Sequence, residues 1–464
     1  MERRQFIAKA GLIMAAGTLV SGDIRCLSRT EQDAETPSGH SSFAVQAPTW
    51  TWVRQQFDLS LEKIHLGALL MASHPRPVRE AIERFRRRLN EDPVSYLEQE
   101  NSRLQEDVRR EAAAYLGADH DEIALTDSTT MGIGIVYNGL RLRPPQEIVT
   151  TEHDYYATHE ALRLAAARTG VSVRKIALHE QPQAASADEI VARIRRALTP
   201  TTRVLALTWV HSSTGLKLPL GAIAEAVASV NARRDEADQV LVCVDGVHGF
   251  GVEDVCVGDL GCDFLMAGCH KWLFGPRGTG IIYGRRPAWA ALHPIIPSFM
   301  DDASWHAWGA NTQPEGPTTA VRMSPGGFKP FEHQWATAEA FRFHQQIGKA
   351  RIAERTHGLC QQLKKELARM AHVTLYTPSA DSLSAGIVCF DVDGLSAEVV
   401  VERLRRRHII ATTTPYATSY ARLTPSIYNT PEEIETTLRE IRAMGVSTGR
   451  PAQDHLGRRH AIAH

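Results

Sequence analysis

The chain has 464 residues, so it is too long for one ordinary domain and long enough to form two hydrophobic cores. Hydrophobic residues make up 43% and charged residues 23% of the sequence, as in soluble globular proteins, which excludes a disordered or fibrous chain. Lysine and arginine number 52 against 53 aspartate and glutamate residues, and the formal net charge of -1 gives no long-range field that would gather nucleic acid or an anionic membrane.

Residues 1–47 predict a twin-arginine export signal followed by a linker. Arg3 and Arg4 precede a short apolar run over residues 10–20, which is too short to span a bilayer. Glu2 stands where such signals usually carry a small hydroxyl residue, and no clear A-x-A cleavage site follows; an amphipathic or frayed helix is the alternative. The signal predicts that the folded protein reaches the periplasm through the twin-arginine export machinery, without a stable membrane anchor.

The seven cysteines show no CxxC pair and no regular spacing, so they predict neither a disulfide framework nor a zinc site. Several lie in or beside apolar runs, where buried free thiols pack as small hydrophobic groups. This pattern fits a protein that folds in the reducing cytosol before export.

The body of the chain begins with residues 48–75, which we expect to pack on the smaller of two domains. A helix is predicted over residues 79–89, and the helical runs 159–169 and 186–198 separate short apolar, β-branched runs. Seven such runs predict strands: EIALTD, QEIVTTE, VSVRKIAL, RVLALTWV, QVLVCVDG, DFLMAGCH and GIIYG. They predict an α/β large domain over residues 76–315, with a mostly parallel seven-stranded sheet covered by helices on both faces.

Residues 316–446 predict a smaller α+β domain. Longer helical runs over residues 335–346 and 349–370 are followed by the strand-like GIVCFDV and by a helix over residues 397–407. The last residues, 447–464, lack periodicity and predict a flexible tail.

Polar residues follow two of the predicted strands, at the edge where ligands collect in parallel α/β sheets. LVCVDGVHGFG ends one strand with Asp245, shortly before His248, and AGCHKWLFGPRGTG ends the next with His270 and Lys271. Pyridoxal 5'-phosphate (PLP) requires an amine for its Schiff base and an acid facing its pyridine nitrogen, and Lys271 and Asp245 supply that pair. Taken singly, Asp245 also fits a strand-end turn or helix cap, and Lys271 a solvated loop lysine. Together with the Gly-rich GPRGTG turn, they predict PLP as the cofactor.

The segment LTDSTTMGIGIVYNGL predicts a phosphate site. A strand leads into Ser128, Thr129 and Thr130 and then into an apolar helical run, whose free backbone N–H groups and dipole would face an anion. Ordinary helix capping by Ser and Thr is the alternative. We expect Thr129 and Thr130 to bind the cofactor phosphate.

The order of these motifs resembles the class V aminotransferases, PLP-dependent enzymes of fold type I that include cysteine desulfurases, kynureninase and isopenicillin N epimerase. The resemblance covers roughly residues 64–445 and is greatest to the isopenicillin N epimerase-like branch, which has twin-arginine-exported members. It implies a homodimer, a large PLP-binding domain and a smaller C-terminal domain.

The resemblance also implies roles for further residues. His153 in TTEHDYYATHEAL resembles the family histidine that stacks on the cofactor ring, with a hydrogen-bonded strand-end histidine as the alternative. TWVHSSTGLKLPL places Ser212 where many relatives carry an Asn near the cofactor oxygen, a departure that leaves its role open. His248 matches the position that supports the ring hydroxyl, and His270 matches the position beside the phosphate.

The segment ARLTPSIYNTPEEIE resembles the family segment whose arginine binds the substrate α-carboxylate, so Arg422 is the expected carboxylate-binding residue. A surface ion pair is the alternative for Arg422. Thr430 and Glu433 have the spacing of a helix capping box.

Two segments depart from the family pattern. HIIATTTPYATSYAR contains no cysteine, whereas desulfurases carry a reactive cysteine on this loop, so desulfuration by that route is not expected. GGFKPFEHQWAT replaces a Gly-Thr turn that reaches the neighbouring subunit's phosphate in many relatives. His333, Gln334 and Trp335 are the candidates to line the site there, without an assigned role.

These residues predict a PLP-dependent enzyme that acts at Cα of an amino acid, or of the amino-acid part of a small metabolite. Lys271 is the expected Schiff-base lysine and general base or acid. Transamination, epimerisation, β-elimination and oxidative decarboxylation differ in which Cα bond is aligned with the π system, and the sequence leaves them open. A non-catalytic binding or sensor protein with the same fold is the alternative from another class. Neither a metal site nor a nucleic-acid partner is predicted.

Overall fold

The computed structural model of the chain describes residues 47–445. The predicted export signal and linker, apart from residue 47, and the predicted tail lie outside the described residues. Within the described part, no helix is both long enough and apolar enough to cross a membrane.

Helices and strands alternate through the first two thirds of the described chain. In chain order they are α1 (Trp50–Gln55), β1 (Ile64–His65), α2 (Arg76–Glu91), α3 (Pro93–Leu116), β2 (Ile123–Thr126), α4 (Thr129–Gly139), β3 (Glu147–Thr151), α5 (Tyr156–Thr169), β4 (Ser172–Ile176), α6 (Ala187–Ala197), β5 (Thr202–Thr208), α7 (Leu220–Asn231), β6 (Leu241–Asp245), α8 (Val257–Leu260), β7 (Phe264–Gly268), β8 (Gly280–Gly284) and α9 (Asp302–Ala310). Pro77 lies in the first turn of α2, as the sequence predicts.

A seven-stranded sheet forms the centre of this part, and each of the seven runs predicted as strands supplies one of its strands. Their order across the sheet is β2-β8-β7-β6-β5-β3-β4. The pairs from β7 to β4 are parallel, and β8 runs antiparallel to both β2 and β7. The prediction of an α/β fold with a mostly parallel seven-stranded sheet is therefore confirmed.

Both faces of the sheet are covered by helices. Alternate residues of a strand point to opposite faces, so Val204 of β5 belongs to one hydrophobic cluster and its neighbour Leu205 to another. Helices α4 and α5 cover the first face, for example through Leu162, and α6 and α7 cover the second, for example through Ile194. The strands other than the partly exposed edge strand β4 are thus buried on both sides, which explains their apolar sequences.

The remaining elements include a second, smaller sheet. They are α10 (Phe331–Ile347), α11 (Lys349–Leu367), β9 (Val373–Leu375), β10 (Val388–Val392), α12 (Ala397–Arg406), β11 (Ile409–Ile410), β12 (Thr412–Thr413), β13 (Ala421–Leu423) and α13 (Pro431–Met444). Four strands form an antiparallel sheet in the order β12-β13-β10-β9, and α11, α12 and α13 share a separate hydrophobic cluster with it, which includes Leu363 and Phe390. Thr430 and Glu433 form the predicted capping box at the start of α13.

The division into domains at residue 316 stays a prediction. Helix α10, which follows this residue, packs against α2 and α3, which precede it. Residues 48–75 contact both parts: β1 pairs with β11, while the Ala72 N–H donates to the His270 carbonyl over 3.2 Å. This segment therefore contacts both the end of β7 and β11, and its expected packing on the smaller domain stays a prediction.

Five of the cysteines in the described part are buried free thiols: Cys243, Cys262, Cys269, Cys360 and Cys389. Cys256 is disulfide-bonded, which the spacing of the cysteines did not predict.

Candidate functional site

The candidate site lies at the carboxyl ends of four neighbouring strands. β3 ends at Thr151, β5 at Thr208, β6 at Asp245 and β7 at Gly268. Parallel strands bring these ends to one edge of the sheet, where open α/β folds bind their ligands. Most of the residues predicted from the sequence follow one of these strand ends: His153, Ser212, His248, His270 and Lys271.

Lys271 and Asp245 share a buried environment and influence each other's charge. Burial lowers the pKa of Lys271 to about 8; Asp245 opposes this shift, and Arg422 adds to it. Burial also raises the pKa of Asp245 to about 6. Two groups act in the opposite direction and lower it: the Val247 N–H, which donates to Asp245 Oδ1 over 3.1 Å, and the charge of Lys271. This mutual influence on the two pKa values does not fit the alternatives, which were a solvated loop lysine for Lys271 and a simple strand-end turn for Asp245.

His248 lies beside Lys271 and is uncharged. Burial lowers its pKa well below the ordinary value, and the charges of Lys271 and Arg422 lower it further. Trp272 Nε1–H donates to His248 Nδ1 over 3.3 Å, so the single ring proton is on Nε2. The ring therefore presents one N–H donor of fixed position to the site.

Asp154 is a buried carboxylate of the site that the sequence reasoning missed. It accepts hydrogen bonds of 2.7–2.8 Å from Thr150 Oγ1, from the N–H and Oγ1 of Thr151, and from the Thr208 N–H. These bonds tie the end of β3 to the end of β5, and the charge of Asp154 contributes to the raised pKa of Asp245. Its place directly after His153, in EHD, was the available signal.

His153 belongs to a group of three uncharged histidines. Its ring stacks on His179 with centroids 4.1 Å apart and planes 13° from parallel, and His211 lies tilted at 5.6 Å. The Leu178 N–H donates to His153 Nε2 over 3.2 Å, which fixes both the ring plane and the position of its proton on Nδ1. Burial lowers the pKa of all three rings, that of His179 to about 4. The sequence pointed to His153 but not to its two companions.

The predicted phosphate site lies at the start of α4. Ser128 Oγ accepts from the Met131 N–H, so Ser128 acts as an ordinary cap, whereas Thr129 Oγ1 accepts from the Gly268 N–H over 2.7 Å. A Cβ at Gly268 would come within 3.0 Å of Thr129 Oγ1 and within 2.9 Å of the His270 ring, so glycine at this position allows the backbone of β7 to approach the start of α4 closely. His270 Nδ1 is buried and has no hydrogen-bond partner among the described residues. Thr130, the next residue of α4 after Thr129, is exposed.

Arg422 lies in the middle of the smaller sheet's β13 and is only 4% exposed, which does not fit a surface ion pair. Its Nε donates to Thr412 Oγ1, Nη1 to the Ser212 carbonyl over 2.7 Å, and Nη2 to the Thr413 carbonyl. Burial lowers its pKa, and the groups that offset this are the Cys389 thiol and the phenols Tyr416 and Tyr155 rather than a carboxylate. The guanidinium is therefore a buried cation held by neutral oxygens.

Residues 333–335, the candidates to line the site, have different surroundings in the single chain, and their place in the site stays a prediction. Trp335 is buried against Phe85 and Phe331 and donates to Asn101 Oδ1, so it belongs to the core between α10 and the first long helices. The His333 Nδ1 lies 3.0 Å from the Arg277 carbonyl. The sequence could not distinguish a core residue such as Trp335 from a residue that lines the site, because the burial of Trp335 comes from helices far away in the chain.

These residues fit PLP. The site combines a half-buried amine, a buried acid coupled to it, uncharged imidazole rings, and a helix start beside a buried imidazole nitrogen that has no hydrogen-bond partner in the described part of the chain. The buried guanidinium of Arg422 completes a site for an anionic ligand.

Comparison with known proteins agrees with this arrangement. The family model described as aminotransferase class-V matches residues 71–437. Isopenicillin N epimerase of Streptomyces clavuligerus is 29% identical over 403 residues, which cover 83% of this chain and 96% of that protein. A probable cysteine desulfurase of Halobacterium salinarum is 26% identical over 351 residues, which cover 72% of this chain and 77% of that protein.

Solved structures with the same fold extend the comparison. A variant of C-DES with glycine covalently linked to its PLP cofactor aligns with a TM-score of 0.74 at 25% identity, covering 84% of this chain and 98% of that chain. An apo cysteine desulfurase from Thermococcus onnurineus aligns with a TM-score of 0.72 at 21% identity, covering 87% of this chain and 99% of that chain, and shows the shared fold alone.

Proposed function

This chain belongs to the class V aminotransferase family, its cofactor is PLP, and we propose that it is an enzyme acting at Cα of an amino acid or of the amino-acid part of a small metabolite. The observation that carries the proposal is Lys271, which is half-buried at the end of β7 and whose pKa is lowered to about 8 by desolvation, against the charge of the buried acid Asp245. Buried titratable groups that shift each other's pKa are typical of active sites.

Each part of the site would hold one part of the cofactor. Lys271 would bind it covalently through Nζ, Asp245 would face the pyridine nitrogen, and the ring would lie against His153. The remaining contacts would come from the predicted cofactor-binding residues Thr129, Thr130, Ser212, His248 and His270. When bound, PLP supplies a conjugated ring that takes up the electron pair of a broken Cα bond.

Asp245 would keep a proton facing the ring nitrogen. With a pKa of about 6, the Asp245 carboxyl is ionised near neutral pH, so it would attract a proton on the ring nitrogen. Because the carboxyl is buried, solvent would not displace it from that contact. The network around Asp154 holds the neighbouring strand ends in place.

Lys271 would move the proton at Cα. A pKa of about 8 would allow its amine to accept or donate a proton near neutral pH. Arg422 would hold the substrate carboxylate, since its charge is buried and its acceptors are neutral oxygens.

The reaction proposed is transamination, epimerisation or a related lyase or oxidative decarboxylation reaction, and not cysteine desulfuration. The basis for setting desulfuration aside is the loop from β11 to β13, which contains no cysteine, so no thiol on it can accept sulfur. Isopenicillin N epimerase is among the similar proteins, which supports proton chemistry at Cα.

An exchange experiment tests the proposed function. We expect the purified holoprotein to show a cofactor absorbance band that changes with at least one member of an amino-acid panel. In deuterium oxide, that amino acid should gain deuterium at Cα or be converted to product, as followed by mass spectrometry. The Lys271→Ala variant should do neither. A holoprotein that changes no member of the panel would instead be a binding or sensor protein.

We also propose that the protein is exported folded to the periplasm and assembles as a homodimer. The first rests on Arg3 and Arg4, which lie outside the described residues. The second is supported by large apolar side chains that face solvent in the single chain, such as Trp308 at 71% and Phe328 at 84% exposure. Light scattering of the purified protein tests the dimer.

A further inference from the structure

Tyr416 presents a phenol to the candidate site from the loop between β12 and β13. Its hydroxyl lies 2.7 Å from Ser212 Oγ. Burial raises the pKa of Tyr416, although the hydrogen bond with Ser212 and the charge of Arg422 act in the opposite direction. The phenol therefore keeps its proton at neutral pH and is a hydrogen-bond donor.

Ser212 connects this phenol to the buried guanidinium. Its hydroxyl contacts Tyr416, and its carbonyl accepts from Arg422 Nη1 over 2.7 Å. Tyr416 and Arg422 also influence each other's pKa directly. Two donors from the smaller sheet thus meet at one residue that follows β5 of the large sheet.

The donors in this group outnumber the acceptors that residues 47–445 supply to them. An arginine has five N–H donors, and the three hydrogen bonds of Arg422 go to neutral oxygens. A carboxylate offers about four acceptor positions, so a bound one has room for a further donor beside the free N–H groups of Arg422. The Tyr416 hydroxyl contacts the same residue, Ser212, as the guanidinium, and is therefore the candidate for that donor.

We propose that Tyr416 is a substrate-binding residue that donates its hydroxyl hydrogen bond to the substrate carboxylate held by Arg422. Ser212 donates to the phenol oxygen and holds it in place, so that the Tyr416 proton is left for the ligand. The edge-on ring of Tyr155, with centroids 6.2 Å apart, packs beside the phenol. The assignment rests on the proposed function, because it names a further contact of the same substrate.

A pair of small probes tests the assignment. Glycine carries an amine and a carboxylate, whereas glycinamide carries the amine without the carboxylate, and both are titrated into the holoprotein while the cofactor absorbance is followed. Tyr416→Phe should weaken glycine binding by about tenfold, the typical loss of a hydrogen bond to a charged group. Glycinamide binding should change by less than about twofold, since the lost donor has no carboxylate to bind.

Tyr420→Phe is the matched control. Tyr420 lies on the same loop, but its ring stacks on Tyr376 with centroids 4.0 Å apart, and we expect wild-type binding of both probes. Circular dichroism checks that both variants keep the wild-type fold. If glycine does not bind the wild type, the tightest-binding amino acid of the panel and its amide replace the two probes.

Two results overturn the assignment of Tyr416 alone: equal weakening of both probes, which indicates a structural tether, and unchanged binding of the carboxylate probe. A wild-type holoprotein that responds to no amino acid overturns the proposed function together with this assignment. The two failures are therefore distinguished by the wild-type titration.

Discussion

The rate at which the apoprotein takes up PLP should reveal the lowered pKa of Lys271. Only the unprotonated amine attacks the cofactor's aldehyde carbon. With a pKa of about 8, about a tenth of the Lys271 side chains are unprotonated at pH 7, against about three in ten thousand for a lysine at the ordinary 10.5. The environment of Lys271 thus raises the fraction of unprotonated amine at pH 7 by a factor of about 300.

Stopped-flow absorbance across a pH series measures this effect. The rate of covalent uptake should rise about tenfold per pH unit up to pH 7 and level off above about pH 8. Asp245→Asn should move the midpoint to lower pH, because Asp245 is the group that raises the pKa of Lys271 against burial. Lys271→Ala is the control for reaction at other lysines.

A midpoint near pH 10 would refute the argument, since Lys271 would then behave as a solvated lysine. A midpoint that Asp245→Asn leaves unchanged, or moves to higher pH, would show that the two groups are not coupled as the structure indicates.

Three further outcomes are expected. Arg422→Ala should weaken amino-acid binding, measured by spectral titration, by about 1.5–3 kcal/mol, or roughly tenfold to a hundredfold. Arg422→Lys should recover part of this loss, because an ammonium keeps the charge but not the planar fork of the guanidinium. Loss of the cofactor instead of the amino acid would contradict the assignment. His179→Ala should weaken PLP binding by about twofold to tenfold through a looser His153 ring, and His179→Phe should restore it, as measured by cofactor dialysis; equal retention in all three proteins would remove His179 from the site. Changing both Arg3 and Arg4 to Lys should leave the holoprotein in the cytoplasm, and unchanged recovery from the periplasm by cell fractionation would refute the export proposal.

The strands and the Lys271–Asp245 pair could be predicted because their signals are local. Buried parallel strands require continuous apolar runs, and the polar residues that end them stand next to those runs in the sequence. The start of helix α10 differs from the prediction. The helix begins at Phe331, after Pro330, whereas its apolar periodicity becomes visible only from residue 335.

The parts of the site that were missed depend on residues far apart in the chain. The role of Asp154 needs the Thr208 N–H, and that of Tyr416 needs Ser212, which lies 204 positions earlier. His179 and His211 follow different strands from His153, and only the sheet order brings the three rings together. Such contacts follow from how strands and domains assemble, which local sequence patterns do not encode.

The most direct test of the central claim is borohydride reduction of the purified holoprotein followed by peptide mapping. Reduction fixes the cofactor to the lysine that binds it, and mass spectrometry identifies the peptide. We predict one cofactor adduct, on Lys271, and none in a Lys271→Ala variant that keeps the wild-type circular dichroism spectrum. An adduct on a different lysine, or a specific adduct that survives the substitution, would contradict the assignment of this site.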